Sequence, residues 1–199
     1  LISALSDNAD RIKLEISNFK WPEVLGFHFF DFEVVFQVNE KTLVGRGVDV
    51  DEGVAIEKAC AEAIERGIVS FGQGKVKAGV AVHLTEMEAS EAAVYEAIER
   101  DAFLVHFLTK RPLEDITSKG GHSLHKTLKI GNNYGCNIRL LRAEALAIDA
   151  HTVVCVALGA NASRPFGAVI GMGCHAAIEI AIEKAIMEFL PRFAHVLLG

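Results

Sequence analysis

Disulfide chemistry has little to work with in this chain of 199 residues. Its four cysteines, Cys60, Cys136, Cys155 and Cys174, are far apart and form no C-x-x-C pair. There is also no long uninterrupted apolar run of membrane-spanning length and no basic-then-apolar leader. The expectation is a reduced, cytoplasmic protein with no membrane span. Basic residues are in deficit, 20 Lys and Arg against 26 Asp and Glu, for a formal charge of −6. Phosphate-backbone binding wants a basic face, so a general nucleic-acid role is excluded. No G-x-x-x-x-G-K-[ST] loop occurs, so any ATP site is built without a P-loop.

What the chain does have is apolar surface and internal repetition. Hydrophobic residues make up 51% of the sequence and mean hydropathy is +0.29, which predicts a dense core plus buried subunit surface, and hence a homo-oligomer, most simply a dimer. The length fits one domain over residues 1–199. Residues 1–20 read as an amphipathic helix, with Leu5, Ile12 and Ile16 among its apolar positions. FHFFDFEVVFQV (Phe27 to Val38) reads as a strand, with a turn at Asn39 and Glu40 and a hairpin partner at Thr42 to Val50. A helix over 52–70, a strand at KAGVAVHL (Lys77 to Leu84), an N-cap at Thr85 and a helix to Leu108 follow. Residues 109–133 change character, with five Lys or Arg against two acids, and read as a basic loop or insert. It is either a lid over phosphate, a peptide-binding loop, or a solvated loop. CNIRLLRAEAL and TVVCVALG are further strands, and FGAVIGMG leads into a last helix that should end at Pro191. Interleaved strands and helices of this kind predict an α+β fold of repeated strand–helix units on a mixed or mostly antiparallel sheet.

EAIER occurs at Glu62 to Arg66 and again at Glu96 to Arg100, and AIEKACAE (Ala55 to Glu62) returns as AIEKAIME (Ala181 to Glu188). Positions i, i+4, i+8 and i+11 share a helix stripe, and Glu88, Ala92, Glu96 and Glu99 have that spacing, with Arg100 alongside. Glu62, Glu65 and Arg66 repeat the end of the stripe, while Ile56, Cys60, Ala63, Ile64 and Ile68 form the opposite, packed face. A single such stripe is an ordinary solvated face with Glu-to-Arg pairs. Its recurrence, together with the like-charge cost at i,i+4, points instead to hard divalent cations. Mg²⁺ takes oxygen ligands from one or two carboxylates plus substrate phosphates. Three acidic helices converging on one cation-rich site are therefore expected, with Glu62, Glu65, Glu96 and Glu99 as metal ligands.

GRGVDVDEGVAIEKACAEAIERG, then GVAVHLTEMEASEAAVYEAIERDAF, and GMGCHAAIEIAIEKAIMEFLPRF resemble the YcaO family over roughly residues 42–108 and 150–193. The family pattern is G-x-G then E-x-x-E-R, followed by G-x-A-x-x-x-T-x-x-E-A and E-x-x-E-R-D-A. The resemblance implies an ATP- and Mg²⁺-dependent enzyme that phosphorylates a peptide backbone amide oxygen as a nucleophile adds to the amide carbon, giving azolines, thioamides or amidines. It implies a peptide or protein substrate and a partner subunit, for instance an E1-like one. By the same resemblance Glu62, Glu65, Arg66, Glu88, Glu96, Glu99, Arg100, Lys184 and Glu188 belong to the nucleotide site. No catalytic residue is named by it. Lys58 stands where the family usually has serine, Lys184 for the usual arginine and Pro191 for the usual glutamine, and the chain is about half the usual length. These departures keep open a second reading, a nucleotide-binding or scaffold subunit without turnover, and a third, an unrelated oligomerising domain.

Three other patterns compete. G-x-G-x-x-A at Gly171, Gly173 and Ala176 imitates a dinucleotide fingerprint, but no second strand ending in an acid follows. It reads as a tight strand-to-helix turn. His122 and His125 form an H-x-x-H pair without further ligands nearby in sequence, so they read as loop histidines rather than a zinc site. Cys136 reads as a buried strand cysteine rather than a nucleophile.

Overall fold

A computed structural model describes residues 13–19, 29–38, 41–71, 79–144, 149–159 and 167–198. It comprises two compact units, Leu1–Val94 and Tyr95–Gly199. In the first, strands β1 (Lys13–Asn18), β2 (Phe30–Val38) and β3 (Lys41–Asp49) form an antiparallel sheet in the order β1-β2-β3. Side chains of a strand alternate between faces, and Phe32, Val34 and Phe36 of β2 are all buried on one of them. They pack with Ala55, Ala59, Cys60 and Ala63 of helix α1 (Glu52–Phe71). Asp51 starts that helix by accepting the Val54 N–H at 3.0 Å. On the other face of β2, fully buried Asp31 accepts two bonds from the Arg46 guanidinium at 2.8 and 2.6 Å.

The helix lies unusually close to β3, and the register says why. Gly45 and Gly47 stand opposite Val34 and Phe32, and a Cβ on either would collide with the backbone of Ala59 and Ala63, or of Ala55 and Ala59. Glycine in the strand and alanine in the helix are two halves of one contact.

The second unit repeats the arrangement within a larger sheet. Strands β4 (Glu114–Asp115), β5 (Cys136–Ala143), β6 (His151–Gly159) and β7 (Ala168–His175) are antiparallel in sequence order. Helix α2 (Glu86–Thr109) begins in the first unit and continues into the second, α3 (Gly121–Asn133) packs beside β5, and α4 (Ile178–Leu198) packs on β7 and β6. A Cβ on Gly171 would strike the backbone of Ala185 and Phe189, and one on Gly173 that of Ala181 and Ala185. Gly45, Gly47, Ala55, Lys58, Ala59 and Glu62 thus correspond in order, at one constant offset, to Gly171, Gly173, Ala181, Lys184, Ala185 and Glu188. The repeated octapeptide is the helix half of a duplicated strand–helix contact.

The α+β class with antiparallel sheets is as expected, and so is the β2–β3 hairpin, whose turn residues Asn39 and Glu40 lie outside the described residues. Several local expectations are corrected. Residues 13–18 are a strand, not the end of a helix. Alternation of Leu14 and Ile16 with Lys13, Glu15 and Ser17 outweighs the helical spacing, and pairing with β2 satisfies the backbone; residues 1–12 lie outside the description. Residues 79–83 form no strand, and the Val82 N–H donates to the Glu65 carboxylate at 2.9 Å instead of to a ladder. The basic segment is not a loop: it folds as β4, a 3₁₀ turn at Thr117–Lys119 and α3. Buried Ile116 and Thr127 anchor it, the Ile116 N–H donates to the Leu140 carbonyl at 2.9 Å, and Gly131 lies against Ile138. The histidine pair therefore lies on a helix rather than a loop.

Gly171 and Gly173 sit inside β7 rather than in a turn. Ile68 is 47% exposed rather than packed. The last helix runs through Pro191 to Leu198. An interior proline costs about 3 kcal/mol; burial of Phe189, Leu190 and Phe193 around it contributes about 2 kcal/mol each and outweighs it.

Candidate functional site

Among the described residues both β3 and β7 are edge strands, with one row of backbone groups that no other described strand pairs. In the first unit the Arg46 N–H, between the two glycines, donates to Glu62 Oε2 at 2.6 Å. Arg66 Nη2 donates to Glu62 Oε1 at 2.7 Å, and Arg66 Nη1 to the Val44 carbonyl at 2.7 Å. Glu65, one turn on, accepts from Val82. Glu88 closes the start of α2. Its N–H donates to Thr85 Oγ1 at 3.2 Å, and its Oε2 accepts from the Thr85 hydroxyl at 2.7 Å and lies 2.9 Å from His83 Nδ1. That is a capping box, and the Thr85 bond holds the Glu88 carboxyl below its ordinary range. Lys58, the departure from serine, pairs with Asp49 at 2.6 Å. Burial pushes the Asp49 carboxyl up, but Lys58 and the Asp51 and Val50 N–H groups hold it lower than usual.

In the second unit the Met172 N–H donates to Glu188 Oε2 at 2.6 Å, and Arg192 pairs with Glu188 Oε1 at 2.5 Å and donates to the Ile170 carbonyl at 2.9 Å. Glu96 pairs with Arg100 at 2.7 Å. Glu99 is the distinctive group. Burial, then the neighbouring Glu188 charge, push its carboxyl up to about 7, against the pull of Lys184 and Arg100. The Lys184 ammonium stands 5.6 Å from the Tyr95 ring centroid, and Tyr95 lies 5.1 Å from the His175 ring. His175 Nδ1 accepts the Ala177 N–H at 2.9 Å at the entry to α4.

Of the expected site residues, Glu62, Glu65, Arg66 and Glu88 thus lie in the first unit, and Glu96, Glu99, Arg100, Lys184 and Glu188 in the second. The structure brings Glu99, Glu188 and Lys184 into one electrostatic cluster with Glu96 and Arg100. Sequence reasoning missed Arg192. Its signal was present, because the Glu-to-Arg spacing of Glu62 and Arg66 recurs at Glu188 and Arg192. It also missed Tyr95 and His175, which no pattern marked. Among the described residues no three His, Cys, Asp or Glu side chains form a metal cage. The chemistry of the donors is compatible with Mg²⁺: a carboxyl whose pKa is raised by burial and a like charge is one whose ionised form a divalent cation would favour, and phosphates would complete such a shell. None of the four cysteines forms a disulfide and all four are buried, and burial pushes the Cys155 thiol up to about 12. Cys136 is a buried strand cysteine, as expected.

The family profile described as YcaO cyclodehydratase, ATP- and Mg²⁺-binding, matches residues 74–198, more than half of the chain. The chain belongs to the YcaO family. ATP and Mg²⁺, implied by the resemblance, are the cofactors in that description. The YcaO fold extends over nearly the whole chain. A YcaO from Methanopyrus kandleri bound with AMPPCP and Mg²⁺ is similar over 98% of this chain and 65% of its own, at 10% identity and a TM-score of 0.72. A chain of the E. coli microcin synthetase McbBCD complex with pro-MccB17 bound is similar over 92% of this chain and 64% of its own, at 11% identity and a TM-score of 0.66. This YcaO chain therefore spans just under two thirds of the length of those proteins. At such identities the likeness shows the fold. No curated protein matches the sequence significantly.

Proposed function

We propose that this YcaO chain binds ATP with Mg²⁺ and activates a peptide backbone amide, as in azoline or thioamide formation, together with a partner protein. The observation that carries the reading is half-buried Glu99 beside Glu188, its carboxyl raised to about 7 by burial and by the Glu188 charge while Lys184 and Arg100 pull the other way. Such a cluster is poised for a cation-bound polyphosphate. Bound Mg–ATP supplies the phosphoryl group and neutralises the charge that develops on transfer. The chain's own residues then have binding and positioning roles: Glu62, Glu65, Glu96 and Glu99 as Mg²⁺ ligands, and Arg66, Glu88, Arg100, Lys184 and Glu188 around the nucleotide. The assembly would be at least a homodimer in the reducing cytoplasm, in keeping with four cysteines that form no disulfide. Among the described residues no helix is long and apolar enough to cross a membrane.

A second reading has its own support. Lys184 and Pro191 stand where the family usually has arginine and glutamine, and favour a nucleotide-binding subunit without turnover. Calorimetry with Mg–ATP tests the site that both readings share, and phosphate release separates the two. Binding is expected in the wild type and lost, by at least about 10-fold, in Glu99→Ala and Glu65→Ala. Phosphate release should stay near background until a peptide or partner is added, since proximity to the acceptor amide supplies much of the rate. Wild-type affinity in both variants would reduce the stripes to solvated faces. Release that never rises with any peptide or partner would favour the second reading.

A further inference from the structure

The two edge-strand contacts share more than their glycines. In each, the N–H of the residue between the glycines donates to a helix glutamate, the arginine four residues later takes the other carboxylate oxygen, and the same guanidinium donates to the carbonyl just before the first glycine. The geometry points to Arg66 and Arg192 as positioning residues that lock Glu62 and Glu188 to the edges of β3 and β7 and so aim each carboxylate at a divalent cation. The inference rests on the proposed reading of Glu62 as a Mg²⁺ ligand and extends the role of Glu188, proposed above as a nucleotide-site residue, to the cation.

The physical case is one of counting bonds. A carboxylate offers about four lone-pair sites. One N–H and one guanidinium contact occupy a site on each oxygen, leaving the others free for a metal while fixing the plane of the group. Without the arginine a single N–H would remain, and the carboxylate would turn about its own torsions. Glycine makes the reach possible, because a Cβ at Gly45, Gly47, Gly171 or Gly173 would push the helix backbone away. The device occurs in both units although the residue before the arginine differs, Glu65 in α1 and Pro191 in α4. The arginine bond therefore persists where the second acid does not. Outer partners that orient metal ligands are typically worth about 10- to 100-fold in metal affinity.

The test titrates Mg²⁺ at fixed AMPPCP into wild type, Arg66→Ala, Arg192→Ala and the corresponding Lys variants, with the urea midpoint of each measured without nucleotide. Each Ala variant should raise the Mg²⁺ midpoint about 10-fold or more. The Lys variants, which retain a donor but not the fork, should show a smaller rise at a near wild-type urea midpoint, and they carry the test if an Ala variant fails to fold. Unchanged Mg²⁺ midpoints in the variants that fold overturn the inference alone. Weakened analogue binding to the same extent with and without Mg²⁺ also overturns it, leaving the arginines a purely structural staple. Absence of any Mg²⁺-dependent binding in the wild type overturns the proposed function and this inference with it.

Discussion

Glu99 carries a pH signature that follows from its surroundings. Its folded-state carboxyl is raised from 4.5 to about 7, chiefly by burial and then by Glu188. A group whose folded pKa lies above its unfolded value stabilises the fold below the unfolded value and loses that contribution as pH rises through the folded one. The apo protein should therefore lose stability between about pH 4.5 and 7 through this residue, by at most about 3 kcal/mol. Glu99→Gln, which keeps the volume and removes the titration, should flatten that part of the profile and be more stable than wild type at pH 8. Urea midpoints measured across pH for both proteins check this; parallel curves would mean Glu99 titrates normally. Mg–nucleotide should recover the loss in the wild type, because a cation favours the ionised carboxylate.

At the scale of elements, the strand–helix contact is the unit on which both halves depend. Gly171→Ala places a Cβ against the Phe189 and Ala185 backbone, which cannot yield as a flexible side chain can. Overpacking of this kind costs about 1–3 kcal/mol, and displacing α4 from β7 also lengthens the Met172 to Glu188 bond. The expected outcome is a lower urea midpoint together with weaker Mg–nucleotide binding. Gly167→Ala is the control, since a Cβ there meets nothing within 4 Å, and its midpoint should stay within about 0.5 kcal/mol of wild type. Equal effects at the two positions would argue that close approach at β7 is unimportant.

For the whole molecule, exposed apolar side chains are the feature that a single chain leaves unsatisfied. Leu104, Phe107 and Leu108 of α2 are 50%, 69% and 73% exposed and lie three and four residues apart, on one face of the helix. Ile16, Val50, Val54, Leu84 and Met87 are exposed in the first unit. A dimer, the commonest soluble assembly, would cover part of this surface. Light scattering at tens of micromolar should report twice the mass of 21.6 kDa, and Phe107→Glu should shift the population toward monomer. A monomeric wild type would count against the assembly.

Much of this architecture was written locally. Alternation in β2, the apolar run of β6, the capping residues Asp51 and Thr85, and the octapeptide repeated in α1 and α4 all act over a few residues, so the sequence alone determined the class, most elements and the family. Carboxylate spacing likewise marked Glu62, Glu65, Glu88, Glu96 and Glu99 as candidates, and the family resemblance added Glu188. Tertiary structure decided what depends on partners distant in the chain. Residues 13–18 became a strand because β2 offered a ladder, α4 passed Pro191 because buried phenylalanines flank it, and Ile116 drew the basic segment onto β5. The glycines at Gly171 and Gly173, which locally resemble a turn, serve close packing only because alanines of α4 arrive there. Arg192 and the elevated pKa of Glu99 belong to the same class. Each arises from where a second element places a charge or a backbone edge, and the physical reason is that electrostatics and packing act through space rather than along the chain.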